Sequence, residues 1–186
     1  MALVATDGST TRTKTVPTYI TVISSVTTLP FLDGFETYSN IATSNYWESV
    51  NPQNNSKFEV TTSAAHSGNK SVKLANYGQS GTNTDELIAN SVDLTGVTST
   101  SEITLSFRFS YRKRNSTNSE KLYVSLTGNC GDTWEIRKTI QGNNLSGTVV
   151  TSAWTPSTAA DWTTVHVTNI ISQYWNDGFR YKFRFD

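Results

Sequence analysis

The sequence predicts an all-β protein that folds as an antiparallel β-sandwich, and three observations support this prediction. Apolar residues make up 35% and charged residues 16% of the chain, and the abundant Ser, Thr and Asn favour strands and turns over helices. Several segments alternate apolar and polar residues, and clusters of Gly, Asn, Ser and Asp separate them. Strands that each have one apolar face are best buried as two stacked sheets.

The first 25 residues are predicted to form a short N-terminal hairpin. Two Thr-rich segments, ALVATDG and KTVPTYITV, are joined by the polar segment STTRT, and a break follows at SSVTTLP. Their β-branched residues favour extended structure, and STTRT is suited to a turn. We therefore expect residues 1–25 to be separate from a sandwich that spans residues 30–186.

The strands of residues 30–186 are predicted from the period of two. The clearest is EITLSFRFSYR, residues 102–112, in which every second residue is apolar. The same period returns in KLYVSL, TTVHV and FRYKFRF, and in the shorter segments KFEV and SVKL. No window of a dozen residues keeps a helical apolar spacing, so VTNIISQYW is expected to form one helical turn at most.

Composition and charge argue against two classes of partner. The formal net charge is zero, so no overall field draws the chain toward nucleic acid or an anionic membrane. No apolar run approaches the roughly 18 residues that cross a bilayer. The segment MALVATDGSTTRTK also lacks the apolar middle of a signal peptide. We expect neither nucleic-acid binding nor insertion into a membrane.

The segment TGNCGDTW, residues 127–134, holds the only cysteine of the chain and is predicted to form a hairpin turn. It resembles the Asp-box of sialidase propellers, with Asn129, Gly131 and Trp134 at the matching positions. The resemblance implies that Asn129 bonds backbone amides, that Gly131 takes a positive φ, and that Trp134 anchors the returning strand. One copy does not imply sialidase activity, since propellers repeat the box. A catalytic Cys130 is not expected, because no base adjoins it in sequence.

From residue 30 onward, the order of segments resembles a jelly-roll module of bacterial secreted and surface proteins, including cytophagalysin-type metalloproteases. It is also similar to the MAM domain and to the gingipain adhesin modules. In the bacterial proteins the module follows a polycystic-kidney-disease-type (PKD) domain, and residues 1–25 resemble the last hairpin of such a domain. The segments that carry the resemblance are LPFLDGFET, AAHSGNKSVKL, TDELIANSVDLTGV, ITLSFRFSYR, EKLYVSLTGNCGDTW, DWTTVHV and FRYKFRFD.

The resemblance implies a jelly-roll fold for residues 30–186 and a secreted or cell-surface setting within a larger bacterial protein, with a metalloprotease as one candidate. Relatives continue past the segment matching FRFD into a further strand with an acidic motif. We therefore expect the module to lack its last strand. A strand at residues 180–186 would then be an open edge, prone to self-association or to pairing with residues 1–25.

The resemblance also implies a calcium site, because modules of this kind often tie their first and last strands with a hard cation bound to oxygen ligands. Asp33 and Glu36 in LDGFET, and Asp85 before ELIANSVDL, occupy suitable positions for such ligands. The alternative is that these carboxylates cap turns in loops. The missing acidic strand would remove one further ligand.

No compact set of acid, base and nucleophile is visible in the sequence, so we expect no enzymatic activity in this chain. The carboxylates Asp85, Glu86 and Glu135, and the pair Asp33 and Glu36, show no spacing that selects a catalytic pair for glycoside hydrolysis. We expect a non-catalytic accessory module that contacts glycan or protein surfaces. A purely structural spacer is the alternative, and a glycoside hydrolase ranks below both.

Aromatic side chains that lie off the alternating faces are the candidates for contact with a ligand, because flat rings stack on sugar faces. The opposing interpretation is that Trp residues at strand ends cover the core. The candidates are Trp47, Trp154, Trp162 and Trp175.

Overall fold

The computed structural model describes residues 2–6, 11–15, 27–79 and 83–186. These residues form an all-β structure with antiparallel sheets, as the sequence predicts, and the only helices among them are 3-10 turns of three residues. None of these described turns is long or apolar enough to cross a membrane.

The strands follow one another along the chain with short 3-10 turns between some of them. The turns span Ile41–Thr43, Thr100–Glu102, Gly142–Asn144, Ala159–Asp161 and Ser172–Tyr174. The strands are β1 (Ala2–Thr6), β2 (Thr11–Thr15), β3 (Trp47–Val50), β4 (Phe58–Thr61), β5 (Ser71–Leu74), β6 (Asp85–Ala89), β7 (Leu105–Phe109), β8 (Lys121–Thr127), β9 (Glu135–Gln141), β10 (Thr163–Val167) and β11 (Arg180–Phe185).

The largest sheet has five strands in the order β3-β6-β11-β8-β9, and every pair in it is antiparallel. The described residues also form three antiparallel two-stranded sheets: β4 with β5, β7 with β10, and β1 with β2. This arrangement of antiparallel sheets is consistent with a β-sandwich.

The core lies against one face of the five-stranded sheet. In β11 the inward residues are aromatic, namely Tyr181, Phe183 and Phe185, and the outward residues between them are Arg or Lys. A larger core cluster joins buried residues such as Leu87 and Leu126 to partly buried side chains of β4, β5 and β7. A smaller cluster joins β8 and β9 to β7 and β10. The ring of Phe183 packs against both clusters.

Two predicted strands have different bounds in the structure. Residues 11–13, expected in the N-terminal turn, lie in β2 and pair with β1; most of KTVPTYITV, residues 16–22, lies outside the described residues. The predicted strand at residues 102–112 is shortened to Leu105–Phe109. It starts late because Ser99 caps the 3-10 turn that ends at Glu102. The last residue of β7 that pairs with β10 is Phe109.

The predicted open edge at β11 is wrong. β11 lies in the middle of the five-stranded sheet, where Lys182 is paired with Ile88 of β6 on one side and with Ser125 of β8 on the other. Both rows of backbone hydrogen-bonding groups in this strand are therefore used within the sheet. The strands at the two edges of this sheet are β3 and β9.

Candidate functional site

A cluster of polar side chains lies where the end of β3, the start of β6 and the open end of the β4–β5 hairpin meet. We call it the Asp85 cluster, and its members are Ser49, Asn55, Asn76 and Asp85. Five side-chain oxygen atoms of these residues are buried and have no hydrogen-bond partner among the described residues: Ser49 Oγ, Asn55 Oδ1, Asn76 Oδ1, and Asp85 Oδ1 and Oδ2. Buried polar atoms are normally paired, so this concentration of unpaired polar atoms requires an explanation.

Asp85 belongs to the inward face of β6 because side chains alternate along a strand. Its companions on that face, Leu87 and Ala89, are core residues, and Asp85 itself is fully buried at 0% exposure. Ser49 lies on the same face, since it is paired with Leu87 across the sheet. A carboxylate therefore occupies the first inward position of β6, whose other inward residues are apolar, and an unpaired charge is unfavourable there.

The surroundings of Asp85 act on its pKa in opposite directions. Burial raises the pKa of this carboxyl, and the side-chain amide of Asn76 acts in the lowering direction with a smaller effect. The Asn76 side chain is thus a neighbour of the carboxylate, although neither carboxylate oxygen accepts a hydrogen bond of ordinary geometry. The net effect is that the charged form is disfavoured in the absence of a positive partner.

Hydrogen bonds fix the loops that carry the cluster. Asn51 donates from Nδ2 to the Asn55 carbonyl at 2.8 Å and accepts from the Asn55 amide at 3.4 Å. Asn55 donates from Nδ2 to Asn83 Oδ1 at 2.6 Å, which ties this loop to the residues that precede β6. Ser56 Oγ donates to the Ala75 carbonyl at 2.7 Å at the end of the hairpin. These contacts bring three segments that are distant in sequence to the same place.

An aromatic ring follows the cluster directly in the chain. Tyr77 is the most exposed aromatic residue that the structure describes, at 47%. Its hydroxyl donates to the Thr151 carbonyl at 2.7 Å, which fixes the ring although it faces solvent. The exposed side chain of Val149 lies two residues before Thr151. The cluster thus combines buried oxygen acceptors with a neighbouring exposed and oriented ring.

The other two residues of the expected calcium set are engaged in hydrogen bonds within loops. Asp33 accepts from the Phe35 amide at 2.7 Å, from Trp47 Nε1 at 2.6 Å and from the Tyr38 hydroxyl. Glu36 Oε1 accepts from the amides of Asn69 and Lys70, each at 2.9 Å. Both carboxylates therefore have the turn-capping type of role that was the alternative interpretation.

The structure does not bring Asp33, Glu36 and Asp85 together. Asp33 contacts Trp47, whose partner in the sheet is Ala89 at the far end of β6. Asp85 is at the other end of this strand, about 13 Å away along a strand that rises roughly 3.3 Å per residue. Within residues 27–79 and 83–186, no three His, Cys, Asp or Glu side chains are grouped as a metal centre. Of the three, only Asp85 is left with unpaired buried oxygens.

The four Trp candidates for ligand contact are each engaged by other parts of the protein. Trp47 is 8% exposed and belongs to the larger core cluster. The guanidinium of Arg112 lies 4.5 Å from the ring centre of Trp154 and covers one of its faces. Trp162 meets the ring of His66 edge-on, with 6.2 Å between centroids. Trp175 donates from Nε1 to the Ile170 carbonyl at 2.7 Å. These positions correspond to the core-covering interpretation more closely than to a platform for a sugar.

Residues 127–134 comprise the last residue of β8 and the connection to β9, away from the Asp85 cluster in sequence. Thr127 Oγ1 donates to Asn129 Oδ1 at 2.6 Å, and Asn129 Oδ1 also accepts from the Thr133 amide at 3.0 Å. Gly131 has a φ of 102°, and Lys182 Nζ lies 4.7 Å above the ring of Trp134. The exposed Cys130 thus lies in a turn that is ordered by polar side chains.

Asn55, Asn76 and Tyr77 were missed as candidates by sequence reasoning. The available signal was that Asp85 falls in phase with the inward residues of DELIA, which places a carboxylate in the core layer. The run NYGQSGTNT before it is typical of a polar loop, and nothing local shows which of its side chains turn inward. Comparisons with protein-family models, with curated proteins and with solved structures found no match for this chain.

Proposed function

We propose that this chain is a non-catalytic binding module with a jelly-roll fold, and that its ligand is a glycan contacted by Tyr77 and the loops of the Asp85 cluster. The observation that carries the proposal is the exposed ring of Tyr77, which is held by its hydroxyl and lies in a polar loop. A flat ring packs on the apolar face of a pyranose, and exposed polar side chains of the surrounding loop orient the sugar hydroxyls. Such a site needs no catalytic group.

The disposition of the carboxylates supports a binding role over hydrolysis. Asp85 and Glu86 lie on opposite faces of β6, and Glu86 accepts from Lys182 Nζ at 2.6 Å. Glu135 accepts from the Tyr174 hydroxyl at 2.6 Å on another strand. A glycosidase requires two carboxyl groups that face the same bond at a distance of roughly 5–10 Å. Two carboxylates separated by a sheet do not provide that arrangement.

The setting that we propose is a secreted or cell-surface bacterial protein, with a PKD-type domain before the module and adhesion or protease assistance as its purpose. The support is the order of sequence segments described above, together with the all-β antiparallel architecture. A purely structural spacer shares this architecture. The two functions differ only in whether a surface of the module has a ligand.

Glycan-array binding tests the proposal. The wild-type chain is expected to bind a subset of glycans, and Tyr77→Ala is expected to weaken that binding about tenfold or more, or roughly 1.4 kcal/mol. The matched control is Ile136→Ala, which removes another exposed apolar side chain, 53% exposed on β9, and should leave binding unchanged. A folded wild-type protein that binds no glycan would overturn the proposal. In that case, binding to purified matrix proteins would indicate a protein ligand. Binding to neither glycans nor matrix proteins would indicate a spacer.

A further inference from the structure

The outward face of the β7–β10 sheet is polar and exposed. Side chains alternate along a strand, and Val165 and Val167 of β10 are buried residues of the inward face. The alternate residues of the two strands lie on the other face and are exposed. We call them the Arg108 face, and its members are Ser106, Arg108, Thr164 and His166.

Cross-strand pairs order this face. Ser106 is directly opposite His166, and Arg108 is directly opposite Thr164. Ser106 Oγ and His166 Nδ1 are 2.8 Å apart, whereas Nε2 of this imidazole has no hydrogen-bond partner among the described residues. With the Ser106 hydroxyl as donor to Nδ1, the neutral imidazole carries its proton on Nε2. The face therefore presents an oriented ring with a free donor beside a guanidinium group.

A second cation borders the face from the edge strand β9. Lys138 Nζ donates to the His166 carbonyl at 3.2 Å, which places an ammonium group beside β10. This carbonyl uses one of the three donor hydrogens of the ammonium and leaves the others available. Within the part of the chain that the structure describes, neither Arg108 nor Lys138 forms an ion pair with an acidic side chain.

The lack of a neutralising carboxylate distinguishes the Arg108 face from the outer face of the five-stranded sheet. There, each of the three cations of β11 lies 2.6–3.8 Å from an acidic side chain. The acidic residues nearest to the Arg108 face in sequence, Glu102 and Asp161, accept from backbone amides of their own loops. The Arg108 face is therefore locally positive, although the formal net charge of the chain is zero.

We propose that the Arg108 face, with Lys138 at its border, binds the anionic groups of an acidic polysaccharide. A guanidinium group donates to two oxygens of a sulfate or carboxylate at once, and an ammonium group adds a point charge. Arg108 and His166 are diagonal neighbours, which lie about 7–8 Å apart in an antiparallel pair and within reach of long side chains. This surface shares no residue with the loops around Tyr77 and does not depend on the glycan proposed there.

The chemistry of the face favours a polysaccharide over other polyanions. None of its four residues is Phe, Tyr or Trp, so the bases of a nucleic acid have no aromatic side chain on which to stack. It also has no apolar side chain of the kind that anchors a protein partner. Because Lys138 occupies the His166 carbonyl, an extended peptide cannot pair with β10 at that point. Hydroxyl, imidazole and guanidinium groups match the hydroxyls and anions of an acidic sugar chain.

Titration of the full chain with dextran sulfate at low salt tests the proposal, with neutral dextran as the uncharged comparison. The wild type is expected to bind dextran sulfate and not dextran. Its affinity should fall as salt is added, because exposed charges are screened beyond about 10 Å at 0.1 M salt. Arg108→Gln and Lys138→Gln should each weaken the binding about five- to tenfold, since each removes a charged donor.

Arg114→Gln is the matched control. It removes the same charge from an exposed arginine in the loop after β7, so it separates the effect of net charge from that of position, and it should bind as the wild type does. Tyr77→Ala should also bind dextran sulfate as the wild type does. Circular dichroism of each variant shows whether the fold is kept, and the substituted side chains of Arg108 and Lys138 are exposed.

A wild-type protein that does not bind dextran sulfate at low salt would overturn the proposal, as would equal losses in Arg108→Gln and Arg114→Gln. Tighter Arg108-dependent binding of a single-stranded oligonucleotide or of polyglutamate would also contradict it, because the ligand would then be a nucleic acid or an acidic protein segment. Arg108-dependent binding of dextran sulfate by a chain that binds no neutral glycan would support this surface while the function proposed for Tyr77 failed. Tyr77-dependent glycan binding without any dextran sulfate binding would show the reverse.

Discussion

Individual side chains hold the turn between β8 and β9. Thr127 is buried, and its hydroxyl accepts from the amides of Asn129 and Gly131, each at 3.2 Å, while it donates to the Asn129 side chain. One hydroxyl and one amide side chain thus satisfy several backbone donors that a tight turn leaves without sheet partners. Cys130 contributes through its backbone, since its amide donates to the Gly178 carbonyl at 2.9 Å.

Gly131→Val is expected to destabilise the protein by about 1–3 kcal/mol, because a side chain at positive φ is strained. A Cβ at this position would also lie 3.3 Å from Trp134 Cζ2 and 3.4 Å from Arg180 Nη1. Cys130→Ser, the matched change at the adjacent exposed residue, should stay within about 0.5 kcal/mol of the wild type. Urea unfolding of the two variants measures this difference, and equal stabilities would show that Gly131 does not need its conformation.

The 3-10 turn before β10 depends on one carboxylate. Asp161 accepts from the amides of Ser157 and Thr158, each at 3.0 Å, and from the guanidinium of Arg112 at 3.3 Å. The backbone amide of Ser157 contributes most to holding the pKa of Asp161 below its usual range, and the backbone amide of Thr158 contributes next. Partial burial acts in the opposite direction and raises this pKa. Arg112 makes the smallest contribution, which also lowers it. The turn and the start of β10 are therefore linked to the ionisation of this group.

Acidification should weaken this element. A lowered pKa means that the folded state favours the ionised carboxylate. The contribution of Asp161 to the stability of the folded state is therefore complete above the ordinary carboxyl pKa of about 4, and it is lost as the pH falls through the pKa of Asp161 in the folded state. Asp161→Asn is therefore expected to unfold at a lower temperature than the wild type at neutral pH, and the difference should shrink well below pH 4. Melting temperatures across this range measure the effect. A difference that grew on acidification would contradict the assigned sign.

At the scale of the whole molecule, local patterns predict strands better than they predict partners. The alternation of FRYKFRF correctly identifies a strand with an aromatic face, but the position of β11 between β6 and β8 depends on pairings across more than fifty residues. The open edge was therefore mispredicted. The Asp85 cluster was missed for the same reason, because Asn55, Asn76 and Asp85 come together only through contacts between segments that are distant in sequence. The phase of Asp85 along β6 was the single local indication.

The two core clusters are joined by Phe183 of β11, which packs against both. Its ring centre lies 4.7 Å from that of Phe107 and 6.2 Å from that of Trp47, and these partners belong to different strands and different clusters. Because the two clusters share this side chain and this central strand, we expect the described β-structure that contains them to unfold as one cooperative unit. A substitution at Phe183 should therefore lower the stability of both clusters rather than of one alone.

Phe183→Ala is expected to cost about 2–4 kcal/mol, somewhat below the usual value for a Phe→Ala change in a core because the ring is partly exposed. Far-ultraviolet circular dichroism and tryptophan fluorescence should shift to lower urea concentration together, since the Trp47 environment depends on the same packing. Ile136→Ala, a truncation at an exposed position of β9, should leave both midpoints near those of the wild type. If the two probes separated in Phe183→Ala, with fluorescence unchanged while the dichroism midpoint fell, the clusters would be independent units and β11 would not be the element that couples them.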